Sequence, residues 1–200
     1  MHEDDNLGLE AAIGRRFKAA TRERMKTLRA RTPERARIER SKKIAEQLDG
    51  LPEYQSAAHI LLYSPTRGEV EVEAIERRAR SEGKRLVYPR VVGEELSLHE
   101  IRSRDELSEG AFGILEPAES APLVSPDAIE LALIPALAVD LRGTRVGWGG
   151  GFYDRLLPTL KFAFRCGLIY DFQLIAESPR EAHDCPLQAA ITEDEIIRFD

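Results

Sequence analysis

The sequence predicts a single three-layer α/β domain. Three observations carry that reading. Residues 58–63 and 85–88 are short apolar runs, and between them lies a charged helical segment, 70–82, ended by Gly83. That order makes a βαβ unit, which favours a parallel sheet with a right-handed crossover. Residues 129–135 and 163–170 are further apolar runs with the length of buried strands. At 200 residues, 42% apolar and 32% charged, the chain suits one soluble domain with a real core.

Taken in order, residues 1–8 form an acidic flexible tail and 9–200 the single catalytic domain. Leu9, Ile13 and Phe17 recur at helical spacing, followed by Ala20, Met25 and Leu28, so an amphipathic helix is expected over about 9–30. Lys18 and Arg22 stand one turn apart on it and point the same way. Thr32-Pro33 restarts the chain as an N-cap with proline at the first helical position. Ile38, Ala45 and Leu48 continue a second helix, which Gly50 stops. The strand 58–63 contains His59, a packed or half-exposed strand residue, and the loop 64–69 follows at its carboxyl end. Pro89 closes the strand 85–88. Residues 96–101 alternate as an exposed strand with His99 facing solvent, and 102–127 read as irregular. The last elements are a helical segment 152–160 limited by Pro158, a polar loop 179–192 and a short strand 195–199.

No apolar run approaches the ~20 residues that span a bilayer, and the acidic start is not a signal peptide. Cys166 and Cys185 form neither a C-x-x-C nor a zinc pattern, so free thiols in a reducing cytosol are expected. The net charge of −6 hides an asymmetry: residues 15–43 hold thirteen Lys or Arg against three acids, a net of +10. Such a block is a solvated helix face, a field that draws in a polyanionic ligand, or a nucleic-acid arm. The last reading ranks low, because few aromatics interleave the block and no recognised binding motif is present.

Residues 145–154 read Arg-Val-Gly-Trp-Gly-Gly-Gly-Phe-Tyr-Asp. The loop lies between the strand 129–135 and the helical segment that begins at Phe152. Glycine lets a backbone come close to a ligand, and successive N–H groups beside a helix start bind phosphate oxygens. The pattern is neither a Walker loop nor G-x-G-x-x-G. A glycine-rich turn without a ligand is the alternative, and the flanking Arg145 and Asp154 weigh against it. In open α/β sheets ligands bind outside the carboxyl ends of the strands, where this loop and 64–69 both fall.

This stretch resembles the signature of the 5-formyltetrahydrofolate cyclo-ligase (methenyltetrahydrofolate synthetase) family, R-L-G-x-G-G-G-Y-Y-D-R. Arg145 to Arg155 match it with Val146 for Leu and Phe152 for the first Tyr. Three weaker stretches resemble the same family. Lys18 to Arg22 looks like its K-x-x-L-R, with Thr21 for Leu. Tyr63 to Glu69 looks like Y-x-P-x-x-x-E, and Pro179 to Asp184 like P-x-E-x-H-D. Ala136 and Val139 depart from the family's usual Gly and Phe.

The resemblance implies a Rossmann-like variant of the sugar-phosphate isomerase and CoA-transferase type. It implies ATP- and Mg²⁺-dependent cyclisation of 5-formyltetrahydrofolate, with or without a polyglutamate tail, to 5,10-methenyltetrahydrofolate, releasing ADP and phosphate. Lys18, Arg22, Arg145, Gly147, Trp148, Gly149, Gly150, Gly151, Phe152 and Tyr153 would bind ATP, with Arg145, Lys18 and Tyr153 serving catalysis. Glu69, Ser64 and Tyr153 would line the folate pocket, and Asp154 and Asp184 would hold the metal, with His183 orienting or packing. The protein is expected to be a cytoplasmic monomer without nucleic-acid or membrane partners. The alternative within the same fold is a binder of folate or nucleotide that has no chemistry.

Overall fold

The computed structural model describes residues 2–181 and 184–199. A seven-stranded sheet forms its centre, in the order β12-β11-β9-β6-β1-β2-β3. Five inner strands run parallel: β1 (His59–Leu61), β2 (Arg85–Val92), β6 (Leu131–Pro135), β9 (Phe164–Leu168) and β11 (Ala189–Ile191). The outer two, β3 (Glu95–Ile101) and β12 (Ile196–Arg198), are antiparallel to their neighbours.

Side chains alternate along each strand, and here both faces are covered. Ile60, Leu131, Leu133, Cys166 and Leu168 meet Ile44, Leu48, Tyr54, Ile75 and Ala79. The last five come from α2 (Glu34–Gln47), the turn after it, α3 (Pro52–Ser56) and α4 (Glu73–Ser81). Leu61, Val87, Ala132, Ile134 and Ala190 face the other way, onto Leu156, Leu157 and Leu160. Those leucines belong to α5 (Phe152–Leu156) and the turn that follows it. A mostly parallel sheet flanked by helices is therefore present, as the sequence predicts. Cys166 is buried, Cys185 is partly buried, and both are free thiols. No described helix is long and apolar enough to cross a membrane.

Several local expectations are corrected. The first helix, α1, runs from His2 to Arg31, so residues 2–8, set apart as a tail by the sequence, have helical backbone. Its apolar stripe faces inward only towards the carboxyl-terminal end, where Met25 is buried and Leu28 packs beside it. Ile13 and Phe17 are 56% and 41% exposed, whereas Gly14, Lys18, Thr21, Met25 and Arg29 are buried. The inward stripe is mostly polar because it borders the site described below. Pro33, rather than Thr32, is the N-cap of α2, and the Thr32 hydroxyl donates back to Leu28 O at 2.9 Å. β2 continues through Pro89 to Val92. Its pairing with β1 ends at Val87, so the missing proline N–H is not needed there.

His99 is buried, not solvent-facing. Its ring contacts Ser97 Oγ and Ala121 O, each at 2.8 Å, because the 121–124 segment folds over β3. The stretch read as irregular holds a small hairpin, β4 (Leu107–Glu109) with β5 (Leu115–Pro117). Between β6 and the glycine loop lies a second sheet that the sequence did not announce. It comprises β7 (Ala138–Asp140), β8 (Arg145–Val146) and β10 (Leu174–Ile175). Buried Asp140 pins it, accepting from Arg142 N, Thr144 N and Ser178 N at 2.8–2.9 Å. The hairpin turns the chain back so that Arg145 starts the loop beside α1, whose Met25 packs with Leu137, Ala138 and Val146.

One contact fixes the register of the sheet centre. Glu130, just before β6, accepts from Ala58 N and His59 N at 2.5 and 2.9 Å. These donors hold its carboxyl below the ordinary glutamate range. A carboxylate with a lowered folded pKa adds stability above its unfolded pKa and loses it as pH falls through the folded one. Glu130→Gln is therefore expected to lower Tm at pH 7 by only about 2 °C, since the group is exposed. The difference from wild type should disappear in scans at acid pH. An equal deficit at every pH would show that the charge contributes nothing.

Candidate active site

A cavity of about 310 Å³ opens at the carboxyl ends of β1 and β6. Four stretches wall it: Tyr63 to Glu69 after β1, Phe112 to Glu116 around β5, parts of β2 and β3, and Arg145 to Asp154. Two pieces of sequence about eighty residues apart thus share one site.

On the first wall, Glu69 is 3% exposed. Trp148 Nε1 donates to its Oε1 at 2.9 Å, and Thr66 N donates to its Oε2 at 3.0 Å. Arg29 Nη1 lies 3.6 Å from Oε1. Burial pushes the Glu69 carboxyl up, and Arg29, Trp148 and Thr66 oppose that shift. Arg29 itself is 1% exposed and is lowered by burial, against the pull of Glu69. Ser64 Oγ donates to Leu115 O at 2.5 Å, tying this wall to the Phe112–Glu116 wall. A second buried carboxylate, Glu116, also lines the cavity at 4% exposure, with Arg90 at 3.9 Å.

On the opposite wall, the loop follows β8 and ends at α5. Gly149 and Gly151 take φ +100° and +72°, the left-handed region that glycine tolerates. Gly147 differs from these two: a Cβ there would sit 2.5 Å from Arg145 Nη1, so a side chain at 147 would displace the guanidinium from its present place. Arg145 is buried beneath the loop. It donates to Asp154 Oδ1, lies 5.4 Å over the Tyr153 ring, and has no partner for Nε among the described residues. Burial, and then the Glu69 carboxylate, push the Tyr153 phenol well up, so it stays a neutral donor. Phe152 meets Phe112 edge-on at 5.9 Å across the mouth of the cavity.

Of the residues singled out from sequence, Ser64, Glu69, Arg145, Gly147, Trp148, Gly149, Gly150, Gly151, Phe152, Tyr153 and Asp154 all line this cavity. Arg22 reaches it through the loop backbone, donating from Nε to Gly147 O at 2.8 Å. Lys18 and Asp184 are not among its walls. They pair with each other at 2.9 Å, with Glu181 Oε1 at 3.1 Å from the same ammonium, and Asp184 also accepts from Glu181 N. The two expected metal ligands therefore have different surroundings, Asp154 beside Arg145 in the cavity and Asp184 beside Lys18. Among the described residues no three His, Cys, Asp or Glu side chains converge. His183 lies outside the described residues. A divalent cation that arrives on phosphates needs only one or two carboxylates from the protein, and Asp154 fits that part.

Sequence reasoning did not single out Arg29, Glu116 or Phe112. Arg29 carried a signal: it continues the 14, 18, 21, 25 spacing. Glu116 carried none, because its burial depends on the β4–β5 hairpin.

Known proteins resemble this chain over most of its length. The family model described as the 5-formyltetrahydrofolate cyclo-ligase family matches residues 15–193. The 5-formyltetrahydrofolate cyclo-ligase of Escherichia coli K12 is 29% identical over 175 residues, covering 84% of this chain and 95% of that one. The solved structure of the Aquifex aeolicus 5,10-methenyltetrahydrofolate synthetase superposes with a TM-score of 0.82 at 35% identity, covering 91% of this chain and 92% of the other. A Mycoplasma pneumoniae 5,10-methenyltetrahydrofolate synthetase, at 23% identity and a TM-score of 0.73, shares the fold over 88% of this chain and 98% of its own. With a model match over residues 15–193, most of its length, the chain belongs to the 5-formyltetrahydrofolate cyclo-ligase family of enzymes.

Proposed function

We propose that the protein converts 5-formyltetrahydrofolate to 5,10-methenyltetrahydrofolate, with ATP cleaved to ADP and phosphate, as a cytoplasmic monomer. One observation carries the reading. The buried Glu69 carboxylate and the Arg145–Asp154 loop face a single cavity. A carboxylate there would hold paired N–H donors of a pterin, while the loop N–H groups would hold phosphate oxygens.

The formyl oxygen is a poor leaving group. Phosphorylating it lets N10 of the same folate attack the formyl carbon, after which phosphate departs. The protein needs no nucleophile of its own; it aligns the γ-phosphate with the formyl oxygen and neutralises charge. Arg145 would leave Asp154 for the transferring phosphoryl group. Tyr153, kept neutral, donates at the cavity wall. Arg22 holds the loop through Gly147 O. Lys18 lies outside the cavity walls and would have to leave Asp184 and Glu181 to reach the outer phosphates. Mg²⁺ would supply charge neutralisation on the phosphates, with Asp154 as its cavity carboxylate.

Absorbance at the methenyl-folate band tests this directly. Purified protein, Mg-ATP and 5-formyltetrahydrofolate should raise the band, and omitting ATP or metal should abolish the rise. Absence of a rise while calorimetry still shows folate and ATP binding would make the protein a binder without chemistry.

A further inference from the structure

Beside the reaction cavity lies a second recess of about 410 Å³, which the catalytic reading does not use. Its walls are Lys26, Arg29 and Ala30 of α1, Arg37 of α2, the Arg67–Gly68 turn, and Trp148. Arg67 and Trp148 also line the reaction cavity, so the two spaces adjoin.

Four cations thus converge on one indole-walled hollow, and no carboxylate is among its lining residues. The Trp148 ring has Arg67 at 4.9 Å, Lys26 at 5.6 Å and Arg29 at 5.7 Å from its centroid. Arg67 reaches that place from a left-handed backbone, φ +51°, which a non-glycine residue adopts only at a cost. Arg29 is fully buried: Nη2 donates to Ala136 O at 2.6 Å, Nη1 is ion-paired with Glu69 Oε1 at 3.6 Å, and Nε has no hydrogen-bond partner among the described residues. Two acids stand nearby. Glu69 lies 3.6 Å from Arg29 on the cavity side, and exposed Glu23 pairs with Lys26 at 2.8 Å on the rim. Arg37 spends one N–H on Thr32 O. Like charges gathered in this way repel one another unless a counter-charge is present, and buried guanidinium N–H groups without acceptors are costly. An oxyanion removes both costs at once.

We infer that this recess is a second oxyanion subsite, which takes the carboxylates or phosphates of a multiply charged ligand extending past Trp148 from the reaction cavity. Two sources share that chemistry. One is the glutamyl chain of the folate, an assignment that rests on the proposed function; the other is a phosphate chain. The sequence contains a single tryptophan, Trp148, so its fluorescence reports on the wall shared by this recess and the reaction cavity, and the Lys26 variants tell the two apart.

The experiment titrates the full chain with γ-linked triglutamate and, separately, with inorganic tripolyphosphate. Both are run with the glycine loop already filled by a non-hydrolysable ATP analogue. The expected result is a saturable change in Trp148 fluorescence with at least one probe. Lys26→Glu should weaken that binding about tenfold or more, the loss of one charge-assisted contact. Lys26→Arg, which keeps the charge, should bind as wild type does. Arg37→Ala should weaken it similarly, but Arg37 also closes the turn between helices, so the partly exposed Lys26 is the deciding position. Saturation by triglutamate alone assigns the subsite to the substrate tail, and by tripolyphosphate alone to a phosphate chain. No saturation by either below ~10 mM, or unchanged binding in Lys26→Glu, overturns the subsite; 10 mM corresponds to a contact of under ~3 kcal/mol. Methenyl formation by the wild-type protein is read in parallel. Turnover without anion binding sinks the subsite alone, and anion binding without turnover sinks the proposed reaction alone.

Discussion

Arg145→Ala is expected to lower kcat by about 10²-fold or more, the scale on which one preorganised charge donor acts at a reacting centre. The geometry explains why the loss should fall on kcat. Arg145 is buried beneath the loop and fixed by Asp154, and its Nε has no hydrogen-bond partner among the described residues, so on the proposed reading it can serve the transferring phosphoryl group. Arg22 and the loop N–H groups remain in the variant, so the KM for ATP should move far less. Arg145→Lys should restore only part of the rate, because a lysine keeps the charge and loses the planar fork. Asp154→Ala should cost a similar factor, since it removes the group that fixes Arg145 and the cavity carboxylate that suits a metal. Steady-state assays of the methenyl band would decide this. Near-normal kcat in Arg145→Ala would remove that residue from the mechanism.

The second large effect is expected at Glu69. Two charge-assisted hydrogen bonds are worth about 1.5–3 kcal/mol each, so Glu69→Ala should raise the KM for the folate by about 10²- to 10⁴-fold. The pH dependence has a definite sign. An ordinary glutamate has a pKa of about 4.3, and burial raises Glu69 above its usual range. As pH falls from neutrality, Glu69 takes up a proton earlier than an exposed glutamate would, and the protonated group accepts fewer bonds. The KM for the folate should therefore climb on the acid side, starting at a pH above the ordinary glutamate range. In Glu69→Gln the KM should be high and should lack that limb. A wild-type profile flat down to the ordinary range would show that Glu69 is not the pterin's partner.

Much of this molecule can be read from its sequence, and the parts that cannot share a cause. The runs 58–63, 129–135 and 163–170 are apolar but for His59, Glu130 and Arg165, because most residues of the strands within them are buried, and such runs stand out in any composition. The hairpin β7–β8 does not, since strands of three and two residues are too short for a period to show. Its signal was the turn itself, Asp140 followed by Gly143. On α1 the usual rule pointed the wrong way. Ile13 and Phe17 look like an inward face, yet Lys18, Thr21 and Arg29 are the buried ones, because the helix lies against a charged site and not an oily core. His99 was misplaced because its cover comes from a segment more than twenty residues away.

The glycine loop was legible as a motif, but not the reason for each of its positions. Gly147 is a case in point. Its missing Cβ leaves the space through which the Arg145 guanidinium passes, at 2.5 Å from where that carbon would stand. The two positions are thus a single unit of information. A side chain at 147 with Arg145 held fixed obliges the guanidinium to shift from its place beside Asp154. A variant library that varies the pair together can reach loops in which a shorter cation at 145 coexists with a side chain at 147, and any redesign of this loop for another substrate would have to begin from that joint choice.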